Sequence, residues 1–389
     1  MNQGKYVFSQ LMALISHKQF QTLVSRYKGD YKVKDFTCWK QFLCMAFGQF
    51  THRESLSDTM LCLRANADKL YHLGIGKAVA KSTLSVANEN RPFEIYRDLA
   101  MLLIKEAKRL YIGDSDLDVS LQNNVFAIDA TTIDLCLSTF YWATFRSTKG
   151  GIKLHTQLDL KTAIPEFIYF STASVHDVNA LDLIHFEANS IYVMDRGYVD
   201  YKRLYTIHRS NAFYITRAKD NMNYRRVRSL PSDRSNGVIC DQLILLNNYY
   251  AAKDYPIKMR RIKFKDSETG KTLVFLTNNL ELKATEIAQL YKHRWKIELF
   301  FKWIKQHLKI KSFWGQSINA VKTQIWIAVS VYVIVAIAKK KYLLKQSLYE
   351  ILQILSISIF EKMPLNQLFQ QNQKQYFKEL NCKQLNIFD

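Results

Sequence analysis

The chain contains no C-x2-C pair and no histidine pair at zinc-finger spacing; its six cysteines (Cys38, Cys44, Cys62, Cys136, Cys240, Cys382) stand far apart. That argues against a zinc module and a disulfide framework and leaves isolated thiols in a reducing compartment. The start, MNQGKYVFSQ, has none of the apolar core of a signal peptide. The most apolar run, Ile325 to Ala338, falls short of the roughly 20 residues a membrane span needs and reads as a buried helix. The expectation is a cytoplasmic protein with no membrane partner. Internal repeats are absent, and the Gln/Lys-rich stretch 366–375 is too short to count as low complexity. Acidic charge is scarce: 34 Asp and Glu face 55 Lys and Arg, a formal charge of +21. Such an excess draws polyanions and points towards nucleic acid.

Apolar residue types supply 48% of the 389 residues, enough for several cores, so two to four structural units are expected. Residues 1–112 read as a helical region that binds DNA, with Leu11, Leu14, Ile15 and Phe20, Leu23, Val24 at helical spacing. Within it, LGIGKAVAKSTLSVANENR (73–91) reads either as a helix-turn-helix or as an ordinary helical hairpin. Gly74 and Gly76 would break one helix and Ser82 or Thr83 would cap the next, which carries Lys81, Ser85, Asn88, Asn90 and Arg91.

From about residue 122 the period shortens. NNVFAIDATTIDL, GIKLHTQLDL and EFIYFSTASV predict three hairpin-linked strands; then come a helix over Val178–Ala188, strand SIYVMD, helix Tyr201–His208 and strand NAFYITRA. That order suits a ribonuclease-H-like core, an α+β or α/β fold, its first part spanning 120–220. Residues 221–283 interrupt it with a basic β insertion, whose segment 221–265 holds ten Lys or Arg against three Asp. Arg225, Arg226, Arg260, Arg261 and Lys263 there are candidates for phosphate contact. The core resumes over 284–335, opening with one long helix from Ala284 to about Ile310, and 336–389 forms a helical C-terminal region ending near Tyr376.

Cutting a phosphodiester needs an activated water, a stabilised leaving oxygen and in-line geometry, which two Mg2+ ions on a few rigid carboxylates can supply. Asp129 lies inside an otherwise apolar strand, where a lone charge is costly unless paired or bound to metal. Asp195 ends SIYVMD before Arg196-Gly197-Tyr198, at the strand end where α/β sheets place ligands. Asp134 falls on the other face of its strand, and Asp159 suits a structural place. On the long helix Tyr291, Arg294, Glu298 and Lys305 fall within roughly 60° of one another, beside an apolar stripe of Leu290, Ile297, Phe301, Ile304 and Leu308. By geometry alone, a surface ion pair of Arg294 with Glu298 fits equally well.

Those four residues match the Y-R-E-K signature of the insertion-sequence-four family of DDE transposases, and IDATTIDL and VMDRGY resemble its two acid motifs. The resemblance implies cut-and-paste DNA transposition. Asp129, Asp195 and Glu298 would hold two Mg2+, with Mn2+ able to substitute, first to nick the element's end and then to direct the freed 3′-OH at target DNA. Tyr291 and Arg294 would grip phosphates and Lys305 would contact DNA near the cut, Arg being suited by its planar fork. A homodimer joining two terminal inverted repeats follows from the same resemblance. Relatives that form a DNA hairpin can stack a flipped base on a Trp of the insertion. Residues 196–294 hold none; Tyr249, Tyr250, Tyr255 or Trp295 would have to serve. His176-Asp177 reads as a turn and helix start, and Trp142 as core packing. Two other functions remain: a stand-alone nuclease, which would need the acids but lack flanking inverted repeats, and an inactive DNA-binding relic, against which the three acids and the full signature argue.

Overall fold

A computed structural model of the chain describes residues 4–136, 138–146, 149–306 and 313–370. They fall into two compact units, Met1–Ile112 with Lys302–Asp389, and Gly113–Phe301. The helical unit begins with α1 (Val7–Met12), α2 (His17–Arg26), α3 (Cys38–Phe50), α4 (Leu56–Ala65), α5 (Lys81–Asn90) and α6 (Glu94–Leu110). Ser16, Thr37 and Ser55 cap three of these by accepting a backbone N–H of the first turn. Gly74 and Gly76 take positive φ of 80° and 83°, as their chain-breaking place requires. Neither Ser82 nor Thr83 caps α5, whose N-cap is Ala80. Residues 66–80 separate α4 from α5, far more than the three- or four-residue turn of a helix-turn-helix. Asn88 is buried and accepts a hydrogen bond from Gln41 Nε2 at 2.8 Å, so it is not on a reading surface. The helical-packing alternative fits these facts.

The second unit carries a ten-stranded sheet. Its elements are β1 (Val125–Leu135), β2 (Thr144–Arg146), β3 (Lys149–Asp159), β4 (Pro165–Thr172), β5 (Ile191–Met194), α7 (Tyr201–Arg209), β6 (Phe213–Arg217), β7 (Tyr224–Leu230), β8 (Val238–Leu246), α8 (Tyr249–Asp254), β9 (Met259–Lys265), β10 (Thr272–Thr277), α9 (Ala284–His293) and α10 (Trp295–Gln306), the last within this unit as far as Phe301. β3 lies between β1 and β4, antiparallel to both. β1 then runs parallel to β5, and β5 to β6. Val125 to Ile128 and Ile191 to Met194 are buried on both faces, the mark of covered parallel strands. Beyond Ile128, β1 becomes half-buried, and there stands Asp129.

The insertion does not form a separate sheet. β10 pairs antiparallel with the free edge of β6, and β9, β8 and β7 follow it outward, so one sheet runs on through the insertion. Two helix predictions need correction. Val178–Ala188 yields only a 3-10 turn, Asp177–Leu183, since Val178, Asn179 and Asp182 are indifferent helix formers. The single helix from Ala284 is two: at Arg294 the N–H bonds back to Tyr291 O, and Ile297 N–H bonds to Arg294 O, each at 3.1 Å and three residues apart. This is a tightened turn rather than a bend, because Arg294 keeps helical torsions of −52° and −28°. Residues 307–312, where that helix was expected to end, lie outside the described set, as do 371–389 with Tyr376 and Cys382.

The helical unit is completed by α11 (Ile318–Lys341) and α12 (Leu348–Ser358). α11 spans 24 residues and is long and apolar enough to cross a membrane by composition, yet 94% of its most apolar window is buried within the protein. It packs against α3, α5, α6 and α12, and is the core helix the apolar run suggested.

Candidate active site

The end of the buried part of β1 sets Asp129 opposite Thr156 of β3. One residue beyond the β1–β5 pairing, which ends at Ile128 with Met194, the chain places Asp195. Asp129 Oδ1 accepts the N–H of Ala130 at 2.8 Å, and Thr216 Oγ1 donates to the backbone carbonyl of Asp195 at 3.1 Å. α9 and α10 supply the rest. Tyr291 packs its ring on Phe275 of β10, centroids 5.0 Å apart, and its hydroxyl donates to Asp195 Oδ1 at 3.3 Å. Arg294 reaches two acids at once: Nη1 donates to Asp129 Oδ2 at 2.7 Å and Nη2 to Glu298 Oε1 at 2.6 Å. The expected pairing of Arg294 with Glu298 is therefore present, but it is one half of a bridge to β1. Leu290, Ile297, Phe301 and Ile304 are buried as the apolar stripe requires, and this stripe holds the polar row in place.

Crowding governs the electrostatics. Burial raises the Asp129 carboxyl to about 6; the Ala130 N–H and Arg294 pull it down, while Asp195 and Glu298 push it up. Burial also raises the Tyr291 hydroxyl to about 12, so it stays a donor. Burial acts to lower Arg294, but Asp129, Tyr291 and Glu298 outweigh it and the guanidinium is held firmly charged. Tyr198, 2% exposed with no hydrogen-bond partner for its hydroxyl among the described residues, is raised by burial and then by Asp129, Asp177 and Asp195.

Comparison with known proteins gives this constellation a family. The family described as transposase DDE domain matches residues 120–334, and a domain family of unknown function matches residues 3–76. The chain belongs to the DDE transposase family. A protein of Sinorhizobium fredii named as transposase y4zB is 34% identical over 66% of this chain and 71% of its own length. One named as the transposase for insertion sequence element IS5377, of Geobacillus stearothermophilus, is 26% identical over 65% of this chain and 66% of its own length. A third, from Synechocystis, named for element IS4SA, is 26% identical over 67% and 72%. An insertion-sequence-four assignment fits these names, and a DDE transposase is a metal-dependent enzyme whose substrate is DNA.

The residues suit a divalent cation of the transposase. Two carboxylates already converge on one positive group, and a third, Asp195, has an oxygen turned to Tyr291; all are hard oxygen donors. Among the described residues no three His, Cys, Asp or Glu close on a single point, and the Arg294 fork stands between two of the acids.

The other expected DNA contacts of the transposase fare unequally. Arg225 and Arg226 are exposed on β7, the last strand of the sheet, and Lys81 is exposed on α5. Lys263 and Lys305 are half-buried, as is Arg261, which lies 4.9 Å from the Tyr224 ring and donates to Gln242 Oε1 at 3.3 Å. Arg260 must be reassigned. Only 5% exposed, it grips Asp241 through two nitrogens at 2.9 and 2.7 Å and donates to the carbonyl of Leu282 at 2.6 Å, so it clamps the insertion to the chain entering α9 and cannot reach a phosphate. Arg91 is likewise turned inward, donating to Gln41 Oε1 at 3.0 Å and to the carbonyl of Phe36. Trp142 is half-buried, edge-on to Phe140, and Asp177 opens its 3-10 turn paired with Lys153 at 2.9 Å. Sequence reasoning passed over Thr216, Tyr198 and Lys296. Lys296 Nζ donates to the carbonyls of Asp116 and Leu160 at 2.9 and 3.0 Å and anchors the start of α10. Only Tyr198 carried a signal, its place in VMDRGY.

Proposed function

We propose that this transposase cuts DNA at the ends of an insertion sequence and joins the freed ends to target DNA, using Asp129, Asp195 and Glu298 as catalytic metal ligands. The observation that carries the reading is the convergence of the helix row on the two strand-end acids: Tyr291 on Asp195, Arg294 on Asp129 and Glu298. The strand order β4-β3-β1-β5-β6, three antiparallel then two parallel, supports a ribonuclease-H-like core. Two Mg2+ ions, or Mn2+ in their place, would activate the attacking oxygen and stabilise the leaving one.

The chain's own residues would do the following. Asp129 and Asp195 sit on rigid strand ends, and Glu298 approaches from α10, so ligand positions are fixed before DNA arrives. Tyr291, its hydroxyl protonated at any working pH, is a hydrogen-bond donor to a phosphate oxygen, and Arg294 offers a planar fork to the same group. Exposed Arg225 and Arg226 on β7, with Arg261, Lys263, Lys305 and Lys81, would contribute unspecific phosphate contacts. Should a base be flipped, Tyr249 and Tyr250, 74% and 75% exposed, are available for stacking; Tyr255 is fully buried against Tyr214 and is not. Two terminal inverted repeats brought together would call for a homodimer.

Glu298→Gln tests the assignment, since it keeps shape and removes the charge a metal needs. The transposase should then bind a duplex carrying its inverted repeat as before and lose cleavage by at least about a hundredfold. A variant that cuts normally takes Glu298 out of the catalytic set.

A further inference from the structure

We infer that Arg294 is the built-in counter-cation of the metal-free site, and that a divalent metal enters only as Arg294 leaves. The inference rests on the reading of Asp129, Asp195 and Glu298 as metal ligands and adds how they are loaded.

Three acids meet Arg294 and Tyr291 here, and Arg217 lies near enough to act on the Tyr291 hydroxyl. Arg294 is the group that neutralises two of the acids, at 2.7 and 2.6 Å, with side-chain exposures of 16% for Arg294, 19% for Asp129 and 34% for Glu298. At such burial the attraction is poorly screened by water. Both Asp129 oxygens are already engaged, Oδ1 by the Ala130 N–H and Oδ2 by Arg294 Nη1. A magnesium ion needs carboxylate oxygens at about 2.0–2.1 Å and near-octahedral access. It therefore competes with the guanidinium for the same oxygens and repels it as a like charge. Conversely, metal-free carboxylates crowded this closely need a positive partner.

Arg294 is also poised to go. Its Nε is buried with no hydrogen-bond partner among the described residues, so the bridging pose leaves one donor unmade there. An incoming phosphate offers the fork an alternative bidentate acceptor beside the acids. Phosphate and metal thus favour each other's arrival: DNA draws Arg294 off the carboxylates, and the metal replaces the charge withdrawn. Without DNA, Arg294 holds the acids together and keeps the metal affinity low, which guards against idle nuclease activity.

The test is Mn2+ binding to the full chain without DNA, followed by calorimetry and by the electron paramagnetic resonance of free Mn2+. It compares wild type with Arg294→Gln, Arg294→Lys and Asp195→Asn. Exchange predicts that Arg294→Gln binds Mn2+ about tenfold tighter than wild type, the size of an ordinary coupling between two sites. Arg294→Lys, whose single ammonium cannot bridge two carboxylates as a fork does, should fall between them. Equal or weaker binding by Arg294→Gln, with Asp195→Asn still reducing binding, overturns the exchange and leaves the metal site standing. No specific Mn2+ binding by any of the four overturns both. If circular dichroism shows Arg294→Gln unfolded, Arg294→Lys decides alone: tighter binding than wild type supports the exchange, and unchanged or weaker binding overturns it.

Discussion

Arg260 and Arg294 are both arginines of a basic chain, yet their surroundings give them opposite work. Arg260 with Asp241 forms a pair exposed by only 6% and 2%, completed by the Leu282 carbonyl. Removing one partner of such a pair strands the other, at a cost of about 3–5 kcal/mol. Arg260→Met should accordingly lower the melting temperature markedly while leaving the salt dependence of DNA binding unchanged. A variant of normal stability whose salt slope falls would return Arg260 to the DNA-binding set. His155 shows the same dependence on surroundings for pH. It is 1% exposed, donates or accepts with Ser171 Oγ at 2.8 Å, and is held below its usual value, first by burial and then by Lys153, against the pull of Asp177. The unfolded chain then takes up a proton near pH 6.5 that the folded one resists. Stability is therefore present above that pH and lost as pH falls through it. His155→Gln, which keeps a hydrogen bond to Ser171 and does not titrate, should flatten the fall in melting temperature between pH 7 and 5. An equal fall in both proteins would assign the acid sensitivity elsewhere.

At the scale of elements, what was legible in the sequence is what local periodicity encodes. Val125–Leu135, Pro165–Thr172 and Met259–Lys265 announce themselves by β-branched and aromatic runs, and Leu290, Ile297, Phe301 and Ile304 by their helical stripe. The three acids stood out as candidates because each breaks an apolar pattern or stands on its border, but only the family resemblance raised them above ordinary structural carboxylates. Features set by partners distant in sequence were not legible. That the insertion would extend the sheet depends on β6 leaving an edge for β10, and nothing within Thr272–Thr277 records this. The double grip of Arg294 spans 165 positions to Asp129, whereas its partner Glu298 is a local neighbour. The start of β8 offers an element-scale test. Gly237 has φ of 81°, and an added Cβ would meet the Lys265 carbonyl oxygen at 2.5 Å, whereas Gly270, at φ of 68°, has nothing within 4 Å. Both substitutions to Ala carry the left-handed strain of about 1 kcal/mol or more, and only Gly237→Ala adds a clash with backbone. Thermal melts should rank Gly237→Ala well below Gly270→Ala; equal losses would mean that the β7–β8 turn yields freely.

For the whole molecule, a charge of +21 steers DNA from a distance but cannot choose a cut site. The specific chemistry is proposed for one cluster in the unit Gly113–Phe301, where two strand ends and the α9–α10 junction bring together acids far apart in the chain. The most direct test is cleavage of a duplex carrying the element's flanking inverted repeat, with Mg2+ or with EDTA, by wild type and Asp195→Ala. The account predicts metal-dependent nicking at the repeat boundary by wild type, abolished by EDTA and absent from a folded Asp195→Ala that still binds the repeat. Cutting that survives either EDTA or the loss of Asp195 would contradict it.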